Sequence, residues 1–184
     1  MFSDITRIQK ASDFLPLVTA AIVVDLVVIG LLLAGAFKSR TLTEWYNNYG
    51  LGAVLSDVFS IVIGVIIAIA IYPLIFSEFN IVFLVGLAIG VQLIHDTLFF
   101  LFFQNLPRGN SRIFDTFKDY AREMGPIILA ADAAMVAITA ILASFLANLG
   151  ERINTIFVIV VAYLVPYFLG SMPMKKCLRF EPLH

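Results

Sequence analysis

Four aspartates lie inside stretches of sequence that are otherwise long and apolar: Asp25, Asp57, Asp96 and Asp132. A carboxylate at the depth of a lipid bilayer costs at least about 2.5–3.5 kcal/mol, so it is rarely found there without a function or a partner. Carboxylates in such positions bind cations, relay protons or join helices through hydrogen bonds. These four residues are therefore the strongest functional signal in the sequence.

The composition predicts an all-α integral membrane protein that forms a single transmembrane bundle over residues 1–184. Hydrophobic residues make up 61% of the chain and charged residues 14%, against about 25% charged residues in a soluble domain. Each of five apolar runs approaches or exceeds the length of about 20 residues that a helix needs to cross a bilayer. The runs are Leu15–Phe37, Leu51–Phe76, Ile81–Phe103, Pro126–Leu149 and Ile153–Gly170. Pro166 predicts that the fifth helix tilts, kinks or breaks.

Basic residues near the ends of the five runs predict the orientation of the chain, because they favour the cytoplasmic side. The side that is predicted to be outside carries Arg7, Lys10 and Arg152. The predicted inner side carries Lys38, Arg40, Arg108, Arg112, Lys118, Arg122, Lys175, Lys176 and Arg179. This places the N-terminus outside and the C-terminus in the cytoplasm. The net charge of −1 argues against a nucleic-acid-binding surface, and the single cysteine, Cys177, excludes a disulfide framework within the chain.

The loop that reads SRIFDTFKDYAREM is expected to form a short helix in the inner membrane interface. Its apolar residues recur every three or four positions and so share one helical face. Ser111 is the candidate N-cap of this helix. Asp115 and Lys118 form one candidate ion pair, and Asp119 and Arg122 form a second. A shorter loop, TLTEWYNNY, is a second candidate interfacial segment, and its aromatic residues suit the membrane surface.

A shift of 75 residues aligns the two halves of the chain. It superimposes Glu44 on Asp119, Trp45 on Tyr120, Gly50 on Gly125 and Asp57 on Asp132. The match predicts a parallel 2+2 internal repeat with units 14–76 and 81–149, followed by an extra span at 153–170. The alternative is that any helical hairpin has this layout and that the glycines and aspartates coincide by chance.

The candidate intramembrane polar or ion site consists of Asp25, Asp57, Gln92, His95, Asp96 and Asp132. Gln92 lies one helical turn before Asp96 and is expected to share its face, whereas His95 is expected to point about 100° away. At about 1.5 Å per residue, Asp57 and Asp132 are expected near the inner interface and Asp25 nearer the midplane.

Three interpretations of this site remain open. The aspartates tie helices together, they bind a cation or relay protons, or three of them hold a metal together with His95. The sequence contains no HExxH, GxSxG or glycine-rich phosphate loop, so neither an enzyme nor a cofactor is predicted.

The sequence contains small-xxx-small pairs, among them Gly86 with Gly90, Gly30 with Ala34 and Gly64 with Ala68. Such pairs let helices pack closely in membranes. They predict either packing within the chain or the contact surface of a homo-oligomer.

Three segments resemble an uncharacterised family of small multi-span membrane proteins from large DNA viruses of algae and protists. They read TLTEWYNNYGLGAVLSDV, VQLIHDTLFF and PRGNSRIFDTFKDYAREMG, and the similarity runs over most of the chain. The resemblance implies a structural or assembly role in the virion inner membrane, with other membrane or capsid proteins bound by the basic inner face. It assigns no functional residue. The alternative function is a small proton- or cation-coupled transporter or channel that uses the aspartates.

Overall fold

The computed structural model describes residues 2–173, and in that part of the chain all regular secondary structure is helical. The α-helices are α1 Leu15–Leu33, α2 Arg40–Tyr49, α3 Leu51–Ile75, α4 Ile81–Gln104, α5 Arg112–Met124, α6 Ile127–Leu146 and α7 Glu151–Gly170. Short 3₁₀ helices cover Ala11–Phe14 and Ala147–Leu149. Cys177 and three of the basic residues used to predict the orientation, Lys175, Lys176 and Arg179, lie outside the described residues.

Five helices of the described part are long and apolar enough to cross a membrane, which confirms the predicted number of candidate spans. They are α1 with its preceding 3₁₀ turn, α3, α4, α6 and α7. The first helix is shorter than its apolar run and ends at Leu33, since Gly35 adopts a φ of +70° that side chains rarely tolerate. The last helix continues through Pro166, so that proline does not break it.

Four of the long helices, α1, α3, α4 and α6, form the core of the bundle, and α7 packs against α1. Both α1 and α4 contact α3 and α6. Small residues allow this close packing: Ala21 of α1 and Ala143 of α6 are both fully buried. Gly30 serves the same purpose at α7, because a Cβ atom there would lie 3.4 Å from the ring of Phe168.

The two short helices, α2 and α5, pack against each other at one end of the bundle. Each begins at a serine whose hydroxyl oxygen accepts a hydrogen bond from a backbone N–H of the first turn. Ser39 accepts from Leu42 at 3.0 Å, and Ser111 accepts from Phe114 at 3.5 Å. The predicted N-cap at Ser111 is therefore confirmed.

A glycine of unusual backbone conformation links each short helix to the long helix that follows. The φ and ψ angles are 51° and −123° at Gly50, and 57° and −141° at Gly125. A positive φ is easily adopted by glycine alone, so these two residues permit the sharp turns from α2 into α3 and from α5 into α6. The turns bring both short helices to the ends of the core helices that carry the aspartates.

The ion pairs predicted inside α5 are wrong. Asp119 instead binds Arg108 of the preceding loop at 2.5 Å, and Asp115 accepts a hydrogen bond from the backbone N–H of Gly109 at 2.9 Å. Lys118 is buried and donates to a backbone carbonyl of the same loop. Partners from the loop thus replace partners one turn away on α5.

The small-xxx-small pair in α4 does not pack against another helix of the described chain. A Cβ atom at Gly86 or Gly90 would have no heavy atom within 4 Å. Of the two interpretations of this pair, packing within the chain is therefore wrong. The pair stays a candidate contact surface between copies of the protein.

Candidate functional site

The structure places one aspartate on each of the four core helices: Asp25 on α1, Asp57 on α3, Asp96 on α4 and Asp132 on α6. We call these four residues the aspartate cluster. Their charges interact in sequence around the bundle, Asp25 with Asp57, Asp57 with Asp132, and Asp132 with Asp96. All four therefore lie at the end of the bundle where α2 and α5 pack.

Asp25 and Asp96 occupy matching positions in their helices. Each lies eight residues before the end of its helix, at Leu33 and Gln104, which corresponds to about 12 Å of helix. The end of α1 lies four residues before the end of the first apolar run.

Asp25 is fully buried and accepts one hydrogen bond from α2. The hydroxyl of Tyr46 donates to Asp25 Oδ1 at 2.8 Å, whereas Oδ2 has no hydrogen-bond partner in the described structure. Burial raises the pKa of the Tyr46 hydroxyl well above its ordinary range, and the charges of Asp57 and Asp25 raise it further. Tyr46 therefore keeps its proton and remains a hydrogen-bond donor.

Asp57 is bound by the residue next to Tyr46. The indole Nε1 of Trp45 donates to Asp57 Oδ2 at 3.0 Å. The Trp45 ring packs against Tyr49 of α2 and Phe117 of α5, with ring centroids 4.7 and 5.1 Å apart. The orientation of this donor is therefore fixed by contacts with both short helices.

Asp96 obtains both of its donors from α4. Gln92 Nε2 donates to Asp96 Oδ1 at 2.7 Å, which confirms the predicted shared face. His95 Nδ1 also lies 3.1 Å from Asp96 Oδ1, so the expectation that His95 points away is wrong. The imidazole stacks on Phe99, one turn further along α4, with ring centroids 5.7 Å apart. Asp96 Oδ2 is buried without a partner in the described structure.

Asp132 differs from the other three aspartates. In residues 2–173 its carboxylate makes no hydrogen bond, although it is partly buried and close enough to Asp57 and Asp96 for their charges to interact. Tyr120 of α5 is a candidate donor, because the charge of Asp132 acts on its hydroxyl. Burial raises the pKa of Tyr120, and the charges of Asp132, Asp57 and Glu123 raise it further, which shows that Tyr120 faces the cluster.

Trp45 and Tyr46 are the site residues that the sequence analysis missed. They were expected to be interfacial aromatics, yet both are buried and donate to aspartates. A usable signal was present, since both carry a polar hydrogen and Trp45 precedes Asp57 by twelve residues across the Gly50 turn. The aromatic pattern alone does not tell a buried donor from a residue at the membrane surface.

Glu123 of α5 holds the start of α2 in place. Its carboxylate accepts hydrogen bonds from the backbone N–H groups of Arg40 at 2.7 Å and Thr41 at 2.8 Å. Burial pulls the pKa of Glu123 upward, but the hydrogen bonds from Thr41, Arg40 and Ser39 outweigh it and leave the pKa below its ordinary value of 4.5. The two short helices are therefore joined by a carboxylate at a helix N-terminus, where negative charge is favourable.

We expect Glu123→Gln to lower the free energy of unfolding by about 1 kcal/mol at neutral pH, because the amide nitrogen would face a backbone N–H. The Glu123 pKa is depressed on folding, so its contribution is complete above pH 4.5 and is lost as the pH falls through the folded pKa. The difference in melting temperature between the wild type and E123Q, followed by circular dichroism in detergent, should shrink below that pH.

The matched control for this prediction is Glu78→Gln, which removes an exposed carboxylate from the loop between α3 and α4. It should change the melting temperature little at any pH. A difference between the wild type and E123Q that stays constant down to pH 3 would contradict the assigned role of Glu123.

The residues of the aspartate cluster do not assemble a metal site. Among the described residues, no group of three His, Cys, Asp or Glu side chains is placed to hold a metal ion. One open depression of about 450 Å³ lies beside the start of α2 and is lined in part by Lys38, Arg40 and Glu123. No residue of the aspartate cluster lines it.

No family model, no curated protein and no solved structure matches this chain. The resemblance to viral membrane proteins therefore stays a prediction.

Proposed function

We propose that the protein is an integral membrane protein that binds and transfers protons through the aspartate cluster, as a small proton transporter or channel. One observation carries the proposal: four carboxylates meet inside a bundle whose core helices contain no Lys or Arg. Four carboxylates whose charges interact, with only His95 as a basic residue on the core helices, need neutralisation by protons or by a cation.

Protons fit the cluster better than a larger or multivalent substrate. The described residues offer no three-ligand metal site, and no aspartate lines the depression of about 450 Å³ beside the start of α2. The buried Oδ2 of Asp96 also lacks a partner in the described structure. A group that served only to tie helices would have its hydrogen bonds satisfied, whereas unpaired buried oxygens are typical of groups that exchange a ligand.

The exterior of the bundle supports a membrane location. Large apolar side chains are exposed on several helices, including Leu74 at 82%, Val82 at 69% and Ile159 at 63%. A water-soluble surface rarely carries so many exposed apolar residues, whereas lipid tails accommodate them. We place α2, α5 and the aspartate cluster at the inner, cytoplasmic interface, because the basic residues that predict the orientation flank these two helices.

We further propose that α1–α3 and α4–α6 are two copies of one unit related by an axis along the membrane normal. The helix contacts agree with this relation. The repeat maps α1 onto α4 and α3 onto α6, so the contact between α1 and α6 corresponds to the contact between α4 and α3. Gly50 and Gly125 have similar backbone angles. Five positions are buried in both α3 and α6 at the 75-residue shift: Ile61 and Val136, Gly64 and Thr139, Val65 and Ala140, Ala68 and Ala143, Ile69 and Ser144.

The test is proton flux into lipid vesicles that contain the purified protein and a pH-sensitive dye. Wild-type vesicles should dissipate an imposed pH gradient faster than empty vesicles. The double variant Asp57→Asn/Asp132→Asn removes two ionisable groups and keeps their shape, so its rate should fall to that of empty vesicles. Glu78→Gln serves as the control with an unchanged rate. Equal rates for wild-type and empty vesicles would overturn the proposal.

A second function is supported by the hydrogen bonds of the first unit. Trp45 and Tyr46 use Asp57 and Asp25 to fasten α2 to two core helices. A fixed α2 could present the exposed Arg40 and Lys38 to other membrane or capsid proteins, as a structural component of a virion inner membrane would require. Association of the tagged protein with purified virus particles would favour this function over proton transfer.

A further inference from the structure

The two units differ in the hydrogen bonds that their short helices, α2 and α5, donate to the aspartates. In the first unit α2 supplies a donor to each aspartate, Tyr46 to Asp25 and Trp45 to Asp57. At the 75-residue shift, Trp45 corresponds to Tyr120 and Tyr46 corresponds to Ala121. Alanine has no side-chain donor, and in residues 2–173 Tyr120 makes no hydrogen bond to the partly buried Asp132. The aspartates of the first unit therefore accept hydrogen bonds from α2, whereas in residues 2–173 those of the second unit accept none from α5.

A second asymmetry concerns the hydroxyl of Thr139 on α6. Thr19 and Thr97, in the other core helices, donate to the backbone carbonyl four residues earlier at 2.7 Å each. Thr139 is fully buried, yet its Oγ1 has no hydrogen-bond partner in the described structure. It lies seven residues after Asp132, two turns along the same face of α6. A buried hydroxyl that does not use its own helix is available to a water molecule or a migrating proton.

Gln92 is a buried polar side chain on α4, one turn before Asp96. It is 4% exposed, and its Oε1 lies where Gly64 leaves space, 3.3 Å from the position of a Cβ atom. Its Nε2 donates to Asp96 Oδ1, which leaves the buried Oδ2 of Asp96 unpaired. Two unpaired buried oxygens, one on Asp96 and one on Thr139, thus lie on the two helices α4 and α6 that pack together.

We propose that Asp132 is the carboxyl group that exchanges the proton, and that Asp96 and Thr139 form the next part of its path between α4 and α6. This inference rests on the proposed proton-transfer function. Asp25 and Asp57 then set the local charge and the position of α2 but do not exchange the proton themselves.

The step balances with water as the carrier. A proton leaves a carboxyl oxygen of Asp132 for a water molecule, so that Asp132 becomes a carboxylate and the water becomes hydronium. The proton then passes along further water molecules between α4 and α6 to Oδ2 of an ionised Asp96, which becomes a carboxylic acid. The hydroxyl of Thr139, about 10 Å of helix beyond Asp132, orients one of these water molecules. No oxidant, metal or cofactor takes part.

The ionisable groups that face Asp132 are Asp57 on α3, Asp96 on α4 and Tyr120 on α5. His95 acts through its contact with Asp96, and Asp25 acts through Asp57. Tyr120 keeps its proton because burial and the acidic neighbours raise its pKa. Proton release from Asp132 is therefore controlled by the other carboxylates and not by a basic partner.

The experiment compares single variants in the same vesicle assay. Asp132→Asn should reduce the proton flux at least tenfold more than Asp57→Asn does. Thr139→Val removes a hydroxyl that makes no hydrogen bond, so it should slow the flux severalfold without lowering the melting temperature. The matched control Thr19→Val removes a hydroxyl that is bound to Leu15 and should leave the flux unchanged.

Different failures have different meanings. If wild-type vesicles show no flux above empty vesicles, the proposed function itself is wrong. If the wild type conducts but Asp57→Asn and Asp132→Asn reduce the flux equally, the function stands and the assignment of Asp132 is overturned. A Thr139→Val variant with wild-type flux would likewise remove Thr139 from the path.

Discussion

Replacing Tyr46 by phenylalanine is expected to lower the free energy of unfolding by about 1–3 kcal/mol, because it leaves a fully buried carboxyl group without its donor. Asp25 is 0% exposed, and Tyr46 supplies its only hydrogen bond in the described structure. The ring of Tyr46 is itself buried, so phenylalanine keeps the packing and removes only the hydroxyl. Thermal unfolding in detergent, followed by the helical circular dichroism signal, measures the loss.

A double-mutant cycle separates this hydrogen bond from other effects of the Tyr46 hydroxyl. In an Asp25→Ala background the fully buried acceptor is gone, so Tyr46→Phe should cost less than it does in the wild type. The cost that remains reports the second interaction of the hydroxyl, with Asp57. Tyr49→Phe is the matched control in the same helix, since its hydroxyl makes only a 3.4 Å contact with Thr116. An equal cost of Tyr46→Phe in both backgrounds would show that the hydroxyl acts elsewhere.

The long helices could be predicted from the sequence because their cause is local. A helix satisfies its backbone hydrogen bonds within one segment, so a long apolar run with few charges is sufficient to predict it. The ends were harder to predict. The first run continues to Phe37, but α1 ends at Leu33 because of the backbone conformation of Gly35. A hydropathy profile does not distinguish the end of the helix from the end of the apolar run.

The partners of the aspartates could not be predicted, because they depend on how the helices pack. Helical periodicity correctly placed Gln92 on the face of Asp96, since both lie on one helix. It gave no information on which side chain of α2 meets Asp25, which is 21 positions away from Tyr46. The same limit explains the failure for α5, where Asp119 binds Arg108 of the preceding loop and not the nearby Arg122.

The second large effect is expected at the small residues that let the core helices pack closely. Ala143→Leu should lower the free energy of unfolding by about 2 kcal/mol or more, because it adds three carbon atoms at a fully buried position. α6 packs against α1, α3 and α4, so it cannot move aside without opening another contact. Without a hydrophobic force to hold helices together in lipid, such interfaces depend on close approach of the backbones.

Ala134→Leu is the matched control, because Ala134 lies on the same helix but is exposed. The two variants share composition and helix propensity, so a difference in melting temperature between them reports packing alone. The melting temperature of Ala143→Leu, followed by circular dichroism in detergent and then in lipid vesicles, should be well below that of Ala134→Leu in both media. Equal melting temperatures would mean that α6 has room around Ala143. Asp96 on α4 and Asp132 on α6 would then lack the rigid frame that the proposed proton transfer between them requires.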